Sequence, residues 1–264
     1  MNAALTQEQI DFFEENGYLR IERITTDEDI AEIKESYDRI FAERAGREDG
    51  NQFDLAGVDE DNEEASLPQI LEPARYAPEL NDSLLLQNAD RICKQLIGRE
   101  ANCVVAHAIL KPARHGSETP WHQDAAYWDP NVIARSISIW VPLQAATEEN
   151  GCMQFVPGSH LLDVLPHRSI GDDPRVHGLE LDPSAMEHVS GAVACPLPAG
   201  GCTIHGGYTL HYAGPNRSDE PRRALILAAF VDGPLRTKPI SFPWQEEKRT
   251  RSAEKRRAAQ SQRA

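Results

Sequence analysis

No stretch of this 264-residue chain approaches the roughly 18 consecutive apolar residues that a membrane-spanning helix needs. The sequence therefore predicts no membrane anchor. It also lacks any CxxC pair. Its five cysteines, Cys93, Cys103, Cys152, Cys195 and Cys202, are odd in number and scattered. That excludes a disulfide framework or a zinc ribbon and fits a reducing cytosol. Basic residues are scarce, with 27 Lys and Arg against 42 Asp and Glu and a formal charge of −15. Phosphate affinity rests largely on Lys and Arg, so nucleic-acid binding by the main body is excluded. The opening segment, MNAALTQEQIDFFEENG, is polar and acidic, unlike a signal or transit peptide. These absences predict a cytoplasmic protein whose partner is a small molecule. No internal repeat is present, and the length suffices to bury a core without disulfide or structural zinc.

What is present begins with helices. Thr6 and Gln9 have capping-box spacing ahead of Ile10, Phe12 and Phe13, and Gly17 stops the helix. Residues 18–21 alternate as a short strand. A second helix is expected after Thr26, with Ile30, Ile33, Tyr37, Ile40 and Phe41 as its apolar stripe, and a third over 83–98. Residues 45–65 are acidic and aperiodic, which predicts an exposed loop and a candidate lid. From about residue 103 the texture changes. Apolar or alternating runs recur at 103–110, 135–142, 152–156, 192–196, 201–205 and 223–231, separated by Gly and Pro turns. Many short strands with such punctuation predict a β-sandwich or barrel. The chain from Trp244 onward is locally basic and is expected to be a solvated tail. The predicted division is one domain over 1–243 and a charged tail over 244–264.

The strongest local feature is Thr119-Pro120-Trp121-His122-Gln123-Asp124. On a strand, residues two apart share a face, so His122 and Asp124 would converge while Gln123 points away. An imidazole and a carboxylate, joined by a second histidine, make the facial triad that suits Fe(II) and leaves coordination positions open. Alone, a His-x-Asp triplet is common. The second feature runs from His205 through His211 to Arg222. A histidine beside a Gly-Pro turn can project into a barrel mouth, and a following guanidinium can take a carboxylate in bidentate fashion. His205 reads as a satisfied structural histidine, and His160 as a turn stabiliser. Asn150 and Gly151 read as shaping a turn. Gln154 is a weaker candidate for the pocket, and Tyr127 and Trp128 are candidates for its lining.

Together, TPWHQDAAYW, ISIWVPLQAATEENGCMQFVPGSH and HYAGPNRSDEPRRA resemble the phytanoyl-CoA dioxygenase family, over about Leu5 to about Asp232. The resemblance implies a mainly β double-stranded β-helix, or jelly roll, flanked by amino-terminal helices. It implies Fe(II) held by His122, Asp124 and His211, with 2-oxoglutarate and O2 as co-substrates and succinate and CO2 as co-products. It places Arg222 at the far carboxylate of 2-oxoglutarate, and Lys111 and Trp140 in the same pocket. Ala213 stands where members often carry Ser, which implies one hydrogen bond fewer to the co-substrate. The retained carboxylate of Asp124 favours hydroxylation over halogenation. Two other readings stay open: a jelly-roll metal-dependent hydrolase or isomerase, and a non-catalytic ligand-binding relative.

Overall fold

The computed structural model describes residues 4–58, 65–250 and 253. Thr6 caps α1 (Gln7–Asn16). Its hydroxyl accepts from Gln9 N, the Gln9 side chain accepts from Thr6 N, and Gly17 closes the helix in left-handed backbone at φ 77°. Such a cap contributes about 1 kcal/mol. The chain turns directly into β1 (Tyr18–Ile21). Thr26 then caps α2 (Asp27–Ala42), whose first turn is acidic and whose Ile30, Ile33, Tyr37 and Ile40 are buried. The acidic turn faces the positive end of the helix dipole. Two short strands follow, β2 (Gln52–Asp54) and β3 (Pro68–Leu71), and then α3 (Leu84–Leu96), capped by Ser83.

The remainder is chiefly strand. In order come β4 (Cys103–Lys111), β5 (Thr119–His122), β6 (Arg135–Pro142) and β7 (Met153–Phe155). Then come β8 (His167–Ser169), β9 (Leu179–Leu181), β10 (Val193–Cys195) and β11 (Cys202–Gly206). The last are β12 (His211–Ala213), β13 (Arg222–Val231) and the short helix α4 (Pro243–Glu246). Seven strands form one sheet in the order β1-β11-β6-β13-β4-β3-β2, and four form a second in the order β10-β7-β12-β5. All pairings are antiparallel. The two sheets form the jelly-roll core.

Two-residue alternation explains the layering. Leu225, Leu227 and Ala229 of β13, with Ile137, Ile139 and Val141 of β6, meet the buried stripes of α2 and α3 on the outer face of the large sheet. Each such Leu, Ile or Val side chain, fully buried, contributes about 1.5–3 kcal/mol. Trp140, Ala224 and Ile226 point the other way and meet Met153 and Phe155 of the small sheet. The space between the sheets is where the site forms.

Two expectations need correction. The acidic segment is not wholly an exposed loop, because Gln52, Phe53 and Asp54 are buried as β2. The reason is local chemistry: the Asp54 carboxylate accepts from the backbone N–H of Ala56, Ser66 and Leu67, and Phe53 stacks on His177 at 3.9 Å. Residues 59–64, the centre of the candidate lid, lie outside the described residues. The segment after Phe242 is not simply solvated either. The Trp244 indole stacks on Phe242 at 4.6 Å and donates to Ala126 O. The Gln245 amide donates to Ala126 O and Trp128 O, and Lys248 Nζ donates to the carbonyls of Val176, His177 and Gly178. One buried indole and one buried ammonium thus hold this strap to the body. Residues 251–252 and 254–264 lie outside the described residues. Among the described residues no helix is long and apolar enough to cross a membrane.

Candidate metal centre and co-substrate pocket

β5 ends at His122, and a 3-10 turn begins at Asp124. The expected strand is therefore shorter than the motif. Gln123 nevertheless keeps extended backbone, φ −119° and ψ 132°, so the alternation carries one residue further and Asp124 emerges on the side of His122. Gln123 points away, as the alternation requires. Its buried amide donates to Asp163 O and Tyr208 O and accepts from Leu165 N. His211 opens β12 directly across from His122 in the antiparallel register, and the two rings lie 4.1 Å apart.

The three side chains converge. His122 Nε2 lies 3.8 Å and His211 Nε2 3.5 Å from Asp124 Oδ1, and one donor atom from each residue falls within 4.8 Å of the others. Each histidine is oriented by its other nitrogen, with His122 Nδ1 at 2.7 Å from Pro120 O and His211 Nδ1 at 2.9 Å from Thr209 O. A ring that gives its Nδ1 proton to a carbonyl keeps a lone pair on Nε2, and both Nε2 atoms face Asp124. Burial lowers the pKa of His122, and burial with its imidazole neighbours holds His211 well below the usual range, so both rings are neutral donors. Burial alone would raise the Asp124 carboxyl, but His211, His205 and His122 outweigh it and keep the carboxylate ionised. Asp124 Oδ2 accepts from Ser138 Oγ at 2.7 Å. Two neutral imidazoles and an anchored carboxylate fit a divalent metal of intermediate softness.

Arg222 starts β13 and is 1% exposed. Its guanidinium carbon lies 5.3 Å from the centre of the Trp140 ring, yet Nε and Nη1 have no hydrogen-bond partner. Burial lowers its pKa to about 10, so it remains a cation. Arg222, Trp140 and the triad line one cavity of about 790 Å³. A buried cation with idle donors beside a metal-type donor set fits a chelating dianion such as 2-oxoglutarate.

Lys111 is placed differently. It pairs with Arg222 across the β4–β13 ladder, but its Nζ donates to Ser117 O, Ala213 O and Gly214 O. All three ammonium protons are engaged by the backbone, and the residue does not line the cavity. Ala213, Tyr127 and Trp128 do line it. In β7 it is Met153, not Gln154, that faces the cavity. His160 holds a turn, with Nε2 at 3.1 Å from Glu14 O. Asn150 likewise ties its turn, accepting from Thr147 N and donating to Ala145 O.

The reading of His205 as a satisfied structural histidine does not hold. The ring is 3% exposed, neither nitrogen has a hydrogen-bond partner, and Nε2 stands 3.4 Å from Asp124 Oδ2. Its strand explains the placement, since β11 pairs His205 with Ser138 of β6, and both side chains flank the same carboxylate. Ser138 itself was legible in principle, because two-residue alternation from Trp140 places it on the same face.

The sequence profile of the phytanoyl-CoA dioxygenase family (PhyH) matches residues 13–224. The chain belongs to the phytanoyl-CoA dioxygenase family. This family member is 26% identical over 222 residues, 81% of its own length and 74% of the relative's, to a probable alpha-ketoglutarate-dependent hypophosphite dioxygenase of Stutzerimonas stutzeri. It is 26% identical over 244 residues, 89% and 85% of the two lengths, to a methylphosphonate hydroxylase of Gimesia maris. Its fold matches EvdO2 from Micromonospora carbonacea var. aurantiaca complexed with 2-oxoglutarate at a TM-score of 0.76 and 35% identity, covering 91% of this chain and 97% of the other. The protein is a 2-oxoglutarate-dependent non-haem iron dioxygenase that uses Fe(II), 2-oxoglutarate and O2.

Proposed function

We propose that this dioxygenase hydroxylates a C–H bond of a small molecule in the cytoplasm, with His122, Asp124 and His211 holding Fe(II) and Arg222 binding the far carboxylate of 2-oxoglutarate. The observation that carries the reading is the Arg222 guanidinium, fully buried with two idle donors in the cavity that the triad shares. A hydrolase or isomerase built on the same ligands has no use for that cation, and a non-catalytic relative has no use for a complete triad. The five described cysteines are all free thiols, which supports a reducing compartment.

When bound, iron and 2-oxoglutarate together activate O2 and couple decarboxylation of the co-substrate to oxidation of the substrate. The chain's own residues do the rest. Pro120 O and Thr209 O fix the tautomer and aim of the two imidazoles. Ser138 holds one oxygen of Asp124 and leaves the other turned to the histidines. Trp140 gives the guanidinium a flat surface, so the co-substrate meets it in one orientation. The apolar walls keep water from the reacting centre. Lys111 acts behind the site in this reading, tying Ala213 and Gly214 at the end of the His211 strand.

The test uses anaerobically Fe(II)-loaded protein, 2-oxoglutarate and a metabolite library, with succinate and a product heavier by one oxygen atom as readouts. His211→Ala is expected to abolish 2-oxoglutarate turnover in the absence of substrate. Wild-type turnover in that variant would exclude the ligand assignment.

A further inference from the structure

The cavity extends far beyond the metal centre. Its volume of about 790 Å³ lies within the range of roughly 300–1,000 Å³ for clefts that enclose drug-sized ligands. A five-carbon dicarboxylate fills only a small part of it. Away from the triad, Phe53, Leu55, Leu71, Leu179 and Ile226 give the walls a large apolar share, beside a polar part that includes Gln69, His177, Gln245, Glu246 and Thr250.

Among the described lining residues the only Lys or Arg side chains are Arg222 and Lys248. Arg222 serves the co-substrate in the reading above. Lys248 has its ammonium protons on three backbone carbonyls, at 2.6, 3.0 and 3.0 Å. An anionic group entering this space would lose its hydration without gaining a counter-charge.

One of the polar side chains on this lining stands among apolar neighbours. His107 lies on β4, between Leu71 of β3 and Ile226 of β13 in the sheet register, and it lines the cavity. Its Nδ1 is 3.1 Å from Gln69 Nε2. An amide nitrogen can only donate, so Nδ1 accepts and the ring proton sits on Nε2. Burial lowers the pKa of this imidazole, in keeping with the neutral ring. Nε2–H is thus the one donor the ring offers.

We infer that the substrate moiety entering this cavity is predominantly apolar, of drug size and without negative charge, and that it presents an oxygen acceptor to His107. The inference rests on the assignment of the triad and Arg222 to iron and 2-oxoglutarate. It gives His107 a specificity role. A site built to hydrogen-bond an oxygen rejects the analogue that lacks it, because the buried donor is then left unpaired.

Three rigid probes of one ring system test it: fluorenone, fluorene and fluorene-9-carboxylate. They are titrated calorimetrically, without O2, into protein loaded with Mn(II) and 2-oxoglutarate. Fluorenone should bind roughly ten-fold more tightly than fluorene, and the carboxylate more weakly than either. His107→Phe should erase the preference for the ketone. His107→Gln, which retains a side-chain donor, should keep part of it and guards against a merely structural loss. Equal affinity for the carboxylate, an unchanged ketone preference in His107→Phe, or no binding of any probe would overturn the inference. A prior titration of the Mn(II) protein with 2-oxoglutarate separates the two levels. If that ligand fails to bind, the metal-site reading falls; if it binds and the probes disobey, only the substrate class falls.

Discussion

Replacing Arg222 by Met should make the protein more stable and at the same time deaf to its co-substrate. The guanidinium is 1% exposed with two idle donors, and burial holds its pKa at about 10 against an ordinary 12.5. At about 1.4 kcal/mol per pH unit, keeping that charge buried costs about 3 kcal/mol. Contact with the Trp140 face offsets part of this, by about 1–2 kcal/mol. A thioether of similar length removes the penalty, loses the cation–π contact and fills most of the volume. The net gain is about 1–2 kcal/mol, or roughly 2–8 °C in melting temperature for a chain of this size. Wild-type protein should instead gain about 2.7 kcal/mol from 2-oxoglutarate at one hundred times its dissociation constant, and the variant should gain almost nothing. Thermal unfolding with Mn(II), with and without 2-oxoglutarate, reads both effects. A variant that melts below wild type without the ligand, or that keeps the ligand shift, would refute the reasoning.

Three further outcomes are expected. Ser138→Ala removes the hydrogen bond to Asp124 Oδ2 and should weaken metal binding about 10–100-fold, measured by Mn(II) titration. His167 is buried and neutral, accepting from Gln123 N, with burial pushing its pKa from 6.5 to about 4. The unfolded chain therefore binds more protons between those values, so stability is complete above about pH 6.5 and falls by about 3 kcal/mol as the pH drops to 4. Urea denaturation at pH 7.5 and 4.5 should show this, and His167→Gln should lessen the loss. Gly151 has φ +86°, and a Cβ there would lie 2.2 Å from Gly214 O. Gly151→Ala should destabilise the protein by more than about 1 kcal/mol and, because Gly214 follows the His211 strand, also weaken Mn(II) affinity.

Much of this architecture was legible in residue order. The Thr6–Gln9 cap, the α2 stripe and seven strands stand where the local pattern puts them, because those features are local. The strands that carry the site were harder. β12 and β5 lie outside the alternating runs, and the motifs rather than the periodicity located His122, Asp124 and His211. His205 escaped because what sets its role is non-local, the register with Ser138. Lys111 shows the reverse limit, since position in the chain suggested a co-substrate contact while three backbone carbonyls occupy its ammonium. The strap after Phe242 was misjudged because a charged composition hides one Trp and one Lys whose contacts lie more than 70 residues away.

That strap gives the molecule a removable roof. Gln245, Glu246, Lys248, Thr250 and Ala253 all border the cavity, and none of them belongs to the proposed iron ligands. A polypeptide stopped after Phe242 would retain every proposed iron ligand and still leave the chamber open to bulk solvent on one side. Such a protein should go on consuming 2-oxoglutarate while delivering less of that oxidising power to its target, so the fidelity of the reaction is guarded by a segment remote from the chemistry.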